Sequence, residues 1–249
     1  MGIDDVGGTF HVTNGKRRLS MSNTNLYVDL GNRLRSFRKA KHITLQTLSK
    51  NVNRSVATLS KYETGEIAVG IDALVDICTY LDVDISLLLP STLTTTSSEE
   101  TASHPNFQHE IFLYWYNRTD GRVREAVIEN RKDSLDSILY FDSSLGKDFH
   151  HSNYLYTGTA YYTDASTEFL YTNVTTPHDK VFIRIPSFFK KTRQYVGIMS
   201  CITTYYQNVT VKLLVLDKRV KDLESLKKDL IYSNEEIKAL RATNFFIVE

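Results

Sequence analysis

Apolar residues recur at helical spacing through the first third of the chain. Leu30, Leu34 and Phe37 form one stripe, and Leu48 and Val52 form another after the connection His42-Ile43. Thr44 is placed to cap the second helix, with Thr47 where a capping box would carry Glu. "NVNR" predicts a tight turn, with Asn53 the residue suited to a positive φ. Ser55 caps a third helix whose inward residues are Leu59 and Tyr62, and Gly65 ends it. Ile71, Leu74, Cys78 and Leu81 predict an inward stripe on a fourth helix, and "DVDISLLL" opens a short fifth one before Pro90.

From Phe107 the period changes to that of strands. "HEIFLYWYN" and "VREAVIE" flank "RTDGR", an Asp-Gly hairpin signal. Further strand patterns follow up to "VTVKLLVL", about eight in all, which is the spacing of an all-β sandwich or barrel. The tail predicts two short helices, the second capped by Ser233 with Glu236 three residues on, and "FFIVE" suits a last strand. The fold class expected is multidomain α plus β: an N-terminal five-helix helix-turn-helix bundle, a flexible linker, and a C-terminal β-rich sandwich or barrel ending in two short helices.

Between the two zones, residues 91–106 are rich in Ser, Thr and Glu and lack a period, as linkers do. The domain boundaries follow: 26–90 for the helical module with its motif at 45–64, 91–106 for the linker, and 107–249 for the β-rich domain. Residues 1–25 are expected to be disordered or a translated leader. "GKRRLS" stands before Met21, and Lys-Arg-Arg can be encoded as a ribosome-binding sequence, so Met21 is a candidate start. The alternative is a basic arm that reaches a DNA minor groove. CGN codons at Arg17 and Arg18 would remove the leader reading.

Charge adds what the period cannot. The chain of 249 residues has a formal net charge of +1, so total charge argues for no polyanionic partner. Its distribution does. From Gly31 to Tyr62 there is no Asp or Glu, while Arg33, Arg35, Arg38, Lys39, Lys41, Lys50, Arg54 and Lys61 fall there. Acids then dominate from Glu63 to Asp84. A basic interval that coincides with the turn motif predicts a phosphate-facing side.

With these residues on the page, the segment 30–89 resembles the helix-turn-helix domain of the phage repressor and Cro class. The resemblance rests on "LGNRLRSFRKAKHITLQTLS", "VATLSKYETG" and "IDALVDICTYLDVDISLLL". It implies a second helix across the DNA backbone and a third in the major groove. It implies phosphate contacts at Thr44 and Thr64, and base-edge contacts from Ser55, Val56, Ala57 and Lys61, with Arg54 and Ser60 beside them. It also implies an Arg38–Glu63 ion pair that orients the guanidinium toward a phosphate. Leu45 stands where many members carry Gln, Ser49 where a small apolar residue is usual, and Asn53 where a turn glycine is usual. Val56 and Ala57 suit a thymine methyl and cannot make bidentate bonds to guanine or adenine, so modest, thymine-biased reading is expected.

The expected function is a cytoplasmic bacterial or phage transcription regulator, a repressor in the first reading. It binds operator DNA as a homodimer, and its β-rich domain senses a small-molecule or protein effector or drives assembly. The alternative is an antitoxin or phage-immunity protein that binds a partner protein through the C-terminal domain. No membrane partner, cofactor, metal or enzymatic activity is expected. Of the fifteen tyrosines, twelve lie beyond Phe107. They are strand formers in one reading and a ligand pocket around Tyr154, Tyr156 and Tyr161 in the other. Gly158 predicts a bulge or a close approach. Cys78 and Cys201 are expected as buried free thiols. His150, His151 and His178 are weak metal candidates, and Ser143, Ser144 and Lys147 a weak Ser-Lys arrangement.

Overall fold

The structure is a computed structural model that describes residues 23–89, 104–132, 134–143, 148–187, 194–202 and 208–243. Residues 1–22, most of the segment expected as a linker and "FFIVE" lie outside the described residues, so the expectation of a leader or basic arm falls there too. Five helices come first: α1 Asn23–Ala40, α2 Leu45–Val52, α3 Val56–Thr64, α4 Ile71–Leu81 and α5 Ile85–Leu88. Their ends follow from capping chemistry. The Thr47 amide donates to Thr44 Oγ1 at 3.1 Å, and the Thr58 amide donates to Ser55 Oγ at 3.0 Å. Asn53 (φ 51°) and Gly65 (φ 72°) take the left-handed conformation that closes α2 and α3.

Leu34, Phe37, Leu48, Leu59, Ile77, Leu81 and Leu88 form the centre of the bundle, each at most 1% exposed. Ile71 departs from its expected place. It is 80% exposed, and α4 turns Ala73, Leu74, Ile77, Cys78 and Leu81 inward instead. As the first residue of its helix, it has no preceding turn to carry it over the bundle.

The second half is a closed antiparallel barrel rather than a sandwich. Its strands are β1 Glu110–Asn117, β2 Arg122–Asn130, β3 Asp136–Phe141, β4 Tyr154–Tyr162, β5 Ser166–Asn173, β6 Lys180–Pro186, β7 Gln194–Ile202 and β8 Asn208–Leu216. Each pairs with the next, and β8 returns to β1 through Phe112↔Leu216, Leu113↔Val215 and Tyr114↔Leu214. Closure satisfies the edges that open strands leave unpaired. Alternate residues fill the lumen: Leu113, Ala126, Ile128, Leu139, Phe169, Tyr171, Val181, Ile183 and Leu213 are fully buried there. Gly158 lets β5 approach, since a Cβ there would stand inside contact distance of the Leu170 carbonyl oxygen. No bulge accompanies it, for the pairing runs unbroken from Gly158↔Tyr171 to Thr159↔Leu170.

The opposite residues of β1 to β4 do not face solvent. Phe112, Tyr114, Val127, Ile138, Tyr140 and Leu155 share one apolar cluster with the helical bundle. The two halves are therefore packed on each other. The expected linker also ends early, because Asn106 Nδ2 donates to the Thr163 carbonyl at 3.1 Å and to Ser187 Oγ at 2.5 Å. After β8, α6 Lys227–Leu230 and α7 Asn234–Thr243 are the two tail helices. The Ser233–Glu236 capping box is formed, with amide contacts of 2.6 and 3.1 Å.

Candidate nucleic-acid interface

α3 is held from behind by one buried ion pair. Arg38 Nε donates to Glu63 Oε1 at 2.5 Å and Nη2 to Glu63 Oε2 at 2.8 Å. Nη1 donates to the Ile43 carbonyl at 2.7 Å. A bidentate pair is directional, so it sets the rotation of α3 against α1. The backbones also touch: a Cβ on Gly31 would overlap the Tyr62 carbonyl oxygen. No local signal marks this except a lone glycine in a helical run. The expected Arg38–Glu63 pair is present. With Arg38 only 7% exposed and its donors engaged, the guanidinium works as a positioning group inside the protein.

The outer face of α3 is open. Ala57, Lys61 and Thr64 are exposed, and Val56 and Ser60 half-buried. The Ser55 hydroxyl caps the helix, and the Thr44 hydroxyl is shared between the Thr47 amide and the Thr47 hydroxyl. What these positions offer a phosphate is helix N-termini with their unpaired amides. Ser49 Oγ donates to the Arg54 carbonyl at 2.6 Å, which suits a small polar residue to this turn. Leu45 packs against the core.

The structure spends part of the basic interval internally. Arg38 binds Glu63, Arg33 binds Glu129 on β2, and Arg54 reaches back to Asp72 Oδ2 at 2.5 Å and Asp76 Oδ2 at 4.0 Å on α4. Lys41 Nζ likewise donates to the Asp82 carbonyl at 3.0 Å, while Lys39, Lys50 and Lys61 have exposed side chains and Arg35 is half-buried. The Arg54 side chain thus ties the α2–α3 turn to α4, and is not free for the base-side contact expected of it.

The expected tyrosine pocket is not assembled. Tyr154 and Tyr161 are 50% and 49% exposed near opposite ends of β4, roughly 23 Å apart along a strand. Tyr156 is buried in the lumen and donates to Asp179 Oδ2 at 2.6 Å. A small cavity of about 130 Å³ lies elsewhere, lined by Arg122, Arg124, Glu125, Asp142 and Asn153. Ser143 Oγ, which lines it too, is committed to Glu125 at 2.7 Å. Ser144 and Lys147 lie outside the described residues. Among the described residues no three His, Cys, Asp or Glu side chains gather to hold a metal. No described helix is long and apolar enough to cross a membrane.

Sequence reasoning missed the contact between the halves. Arg33 joins Glu129, and Tyr140 OH donates to the other Glu129 oxygen at 3.0 Å. Ser36 Oγ donates to the His150 carbonyl at 2.8 Å, and Asn32 Nδ2 to Asp148 Oδ2 at 3.3 Å. These partners are far apart in sequence, and no local pattern announces them.

A helix-turn-helix domain family model matches residues 29–89. The restriction-modification controller protein C.AhdI from Aeromonas hydrophila is 27% identical over 25% of this chain and 96% of its own, with a TM-score of 0.25. The clp gene regulator ClgR from Corynebacterium glutamicum is 33% identical over 25% of this chain and 82% of its own, with a TM-score of 0.25. An HTH_3 family transcriptional regulator from Vibrio cholerae is 16% identical over 80% of this chain and 100% of its own, with a TM-score of 0.27. A likeness at that level carries no argument about the barrel. No curated protein matches the chain. Residues 29–89 of this chain belong to the helix-turn-helix domain family.

Proposed function

We propose that the protein is a sequence-specific DNA-binding transcriptional regulator that acts as a repressor, in the cytoplasm, as a homodimer. The observation that carries this reading is α3: small or short side chains and Lys61 on its open face, with the buried Arg38–Glu63 pair fixing its rotation. Small residues permit close approach to base edges, and Lys61 is the strong donor among them. C.AhdI and ClgR, a controller protein and a gene regulator by name, support the same class.

Ile71, Val75 and Ile67, exposed by 80%, 48% and 37%, supply apolar surface for a second copy of the chain. Ile71→Lys with Val75→Lys should then shift the sedimenting species toward monomer. The barrel lumen is filled by side chains, so a small-molecule or protein effector would act from outside it. Exposed Tyr161 and Leu170 on the outer barrel favour a second reading, in which the barrel docks a partner protein and the helical domain autoregulates.

The test is binding of the full chain to genomic fragments, including its own promoter, across a salt series. Preference for a palindrome that is lost in Lys61→Ala supports the reading. Equal binding to all fragments refutes operator recognition and moves the search to the barrel.

A further inference from the structure

The barrel places one basic side chain against α1. The turn Phe149–His151, between β3 and β4, packs on α1, and the charges of Arg35 and Lys39 bear directly on the His151 ring. His151 Nδ1 and Arg35 Nε are both buried without a hydrogen-bond partner. Asp148, whose charge also acts on His151, is engaged by the His150 ring at 2.6 Å and by Asn32. We propose that Arg35, Lys39 and His151 form a composite anion site that takes a backbone phosphate of DNA flanking the sequence read by α3.

Three observations place it. Arg35 and Lys39 are one turn apart on α1, about 6 Å along the axis, so they form a row rather than a scatter. The row leads at its C-terminal end to Lys41 and the N-terminus of α2, where the helix-turn-helix class meets the DNA backbone. The site is also prebuilt, because the Ser36 and Asn32 contacts fix the turn against α1. Burial, then the Arg35 and Lys39 charges, hold His151 below the usual histidine range, against the raising influence of Asp148. A bound phosphate reverses that balance and draws a proton onto the ring. The barrel thereby extends the DNA contact of the helical domain, which the isolated helical module could not reproduce.

This inference rests on the DNA-binding reading, and the test separates the two. The full chain is titrated with a duplex selected from random sequence and with the same duplex trimmed to its contacted core, across a salt series. On the long duplex, Arg35→Gln and Lys39→Gln should each reduce the salt slope by about 0.9, with little change on the trimmed one. His151→Gln should reduce the slope at about pH 5.5 and not at about pH 8. Circular dichroism and melting establish that each variant is folded. Unchanged slopes for the variants, with binding still weakened by Lys61→Ala, overturn this site alone. No duplex binding by the wild-type chain overturns both readings. Inorganic phosphate that saturates the His151 ring shift at low millimolar concentration, with no variant effect on DNA, marks a small-anion site and overturns the DNA assignment.

Discussion

Replacing Glu129 by Gln keeps the shape of the side chain and removes its charge. The pair it forms with Arg33 joins α1 to β2, and both side chains are 8% exposed. Burial alone would raise the Glu129 pKa, but the Arg33 charge and hydrogen bond outweigh it and hold the carboxyl below its usual value. The Arg33 pKa is raised despite its burial, chiefly by Glu129, so both partners report the same attraction. Glu129→Gln leaves a buried guanidinium without its counter-charge and weakens the acceptor of the Tyr140 hydroxyl. Losing one partner of a buried pair costs about 3–5 kcal/mol. At about 2–4 °C per kcal/mol for a chain of this size, the melting temperature should fall by roughly 10 °C. The pH sign follows from the lowered pKa. The contribution is present above the unfolded value and is lost as pH falls through the folded one. Melting of both proteins should therefore converge toward low pH. Urea unfolding with hydrogen exchange on α1 locates the effect. A loss under about 1 kcal/mol, or one that leaves α1 protection unchanged, refutes the clamp between the two halves.

Three further outcomes are expected. Gly31→Ala drives a Cβ into the Tyr62 carbonyl, so it should cost about 1–3 kcal/mol by urea titration and weaken DNA binding as α3 shifts. Ser55→Ala removes the acceptor of the Thr58 amide and should lower stability by about 1 kcal/mol, read as the shift in urea midpoint. The thiols of Cys78 and Cys201 are pushed up to about 11, mainly by burial. Alkylation near pH 8 should therefore run about a hundredfold slower in the native chain than in urea, as counted by mass spectrometry.

The caps were legible because they are local. Thr44, Asn53, Ser55, Gly65 and the Ser233–Glu236 box each act within three or four residues, and the structure forms every one. The alternation of the strands was equally legible, since period two follows from the pleat. The open face of α3 and its Arg38 tie came through the resemblance of a continuous segment. The tyrosine pocket failed for a related reason. Tyr154 and Tyr161 lie seven residues apart, on a strand whose successive side chains face opposite sides. Sharing one strand was therefore not enough to bring them together. Ile71 failed because its helical stripe continues one residue past the bundle it would cover.

What sequence alone determined about this protein is the type of each element, its ends, and the surface offered by α3. Tertiary structure alone decided that the strands close into a barrel, through β1–β8 pairing. It also decided that the outer face of β1 to β4 is buried under the helices, and that Arg33 meets Glu129 across 96 positions. Local elements are set by interactions a few residues long, which a sequence displays. Which apolar face covers which depends on the packing of the whole chain, and a buried charge finds its partner only after that packing is chosen.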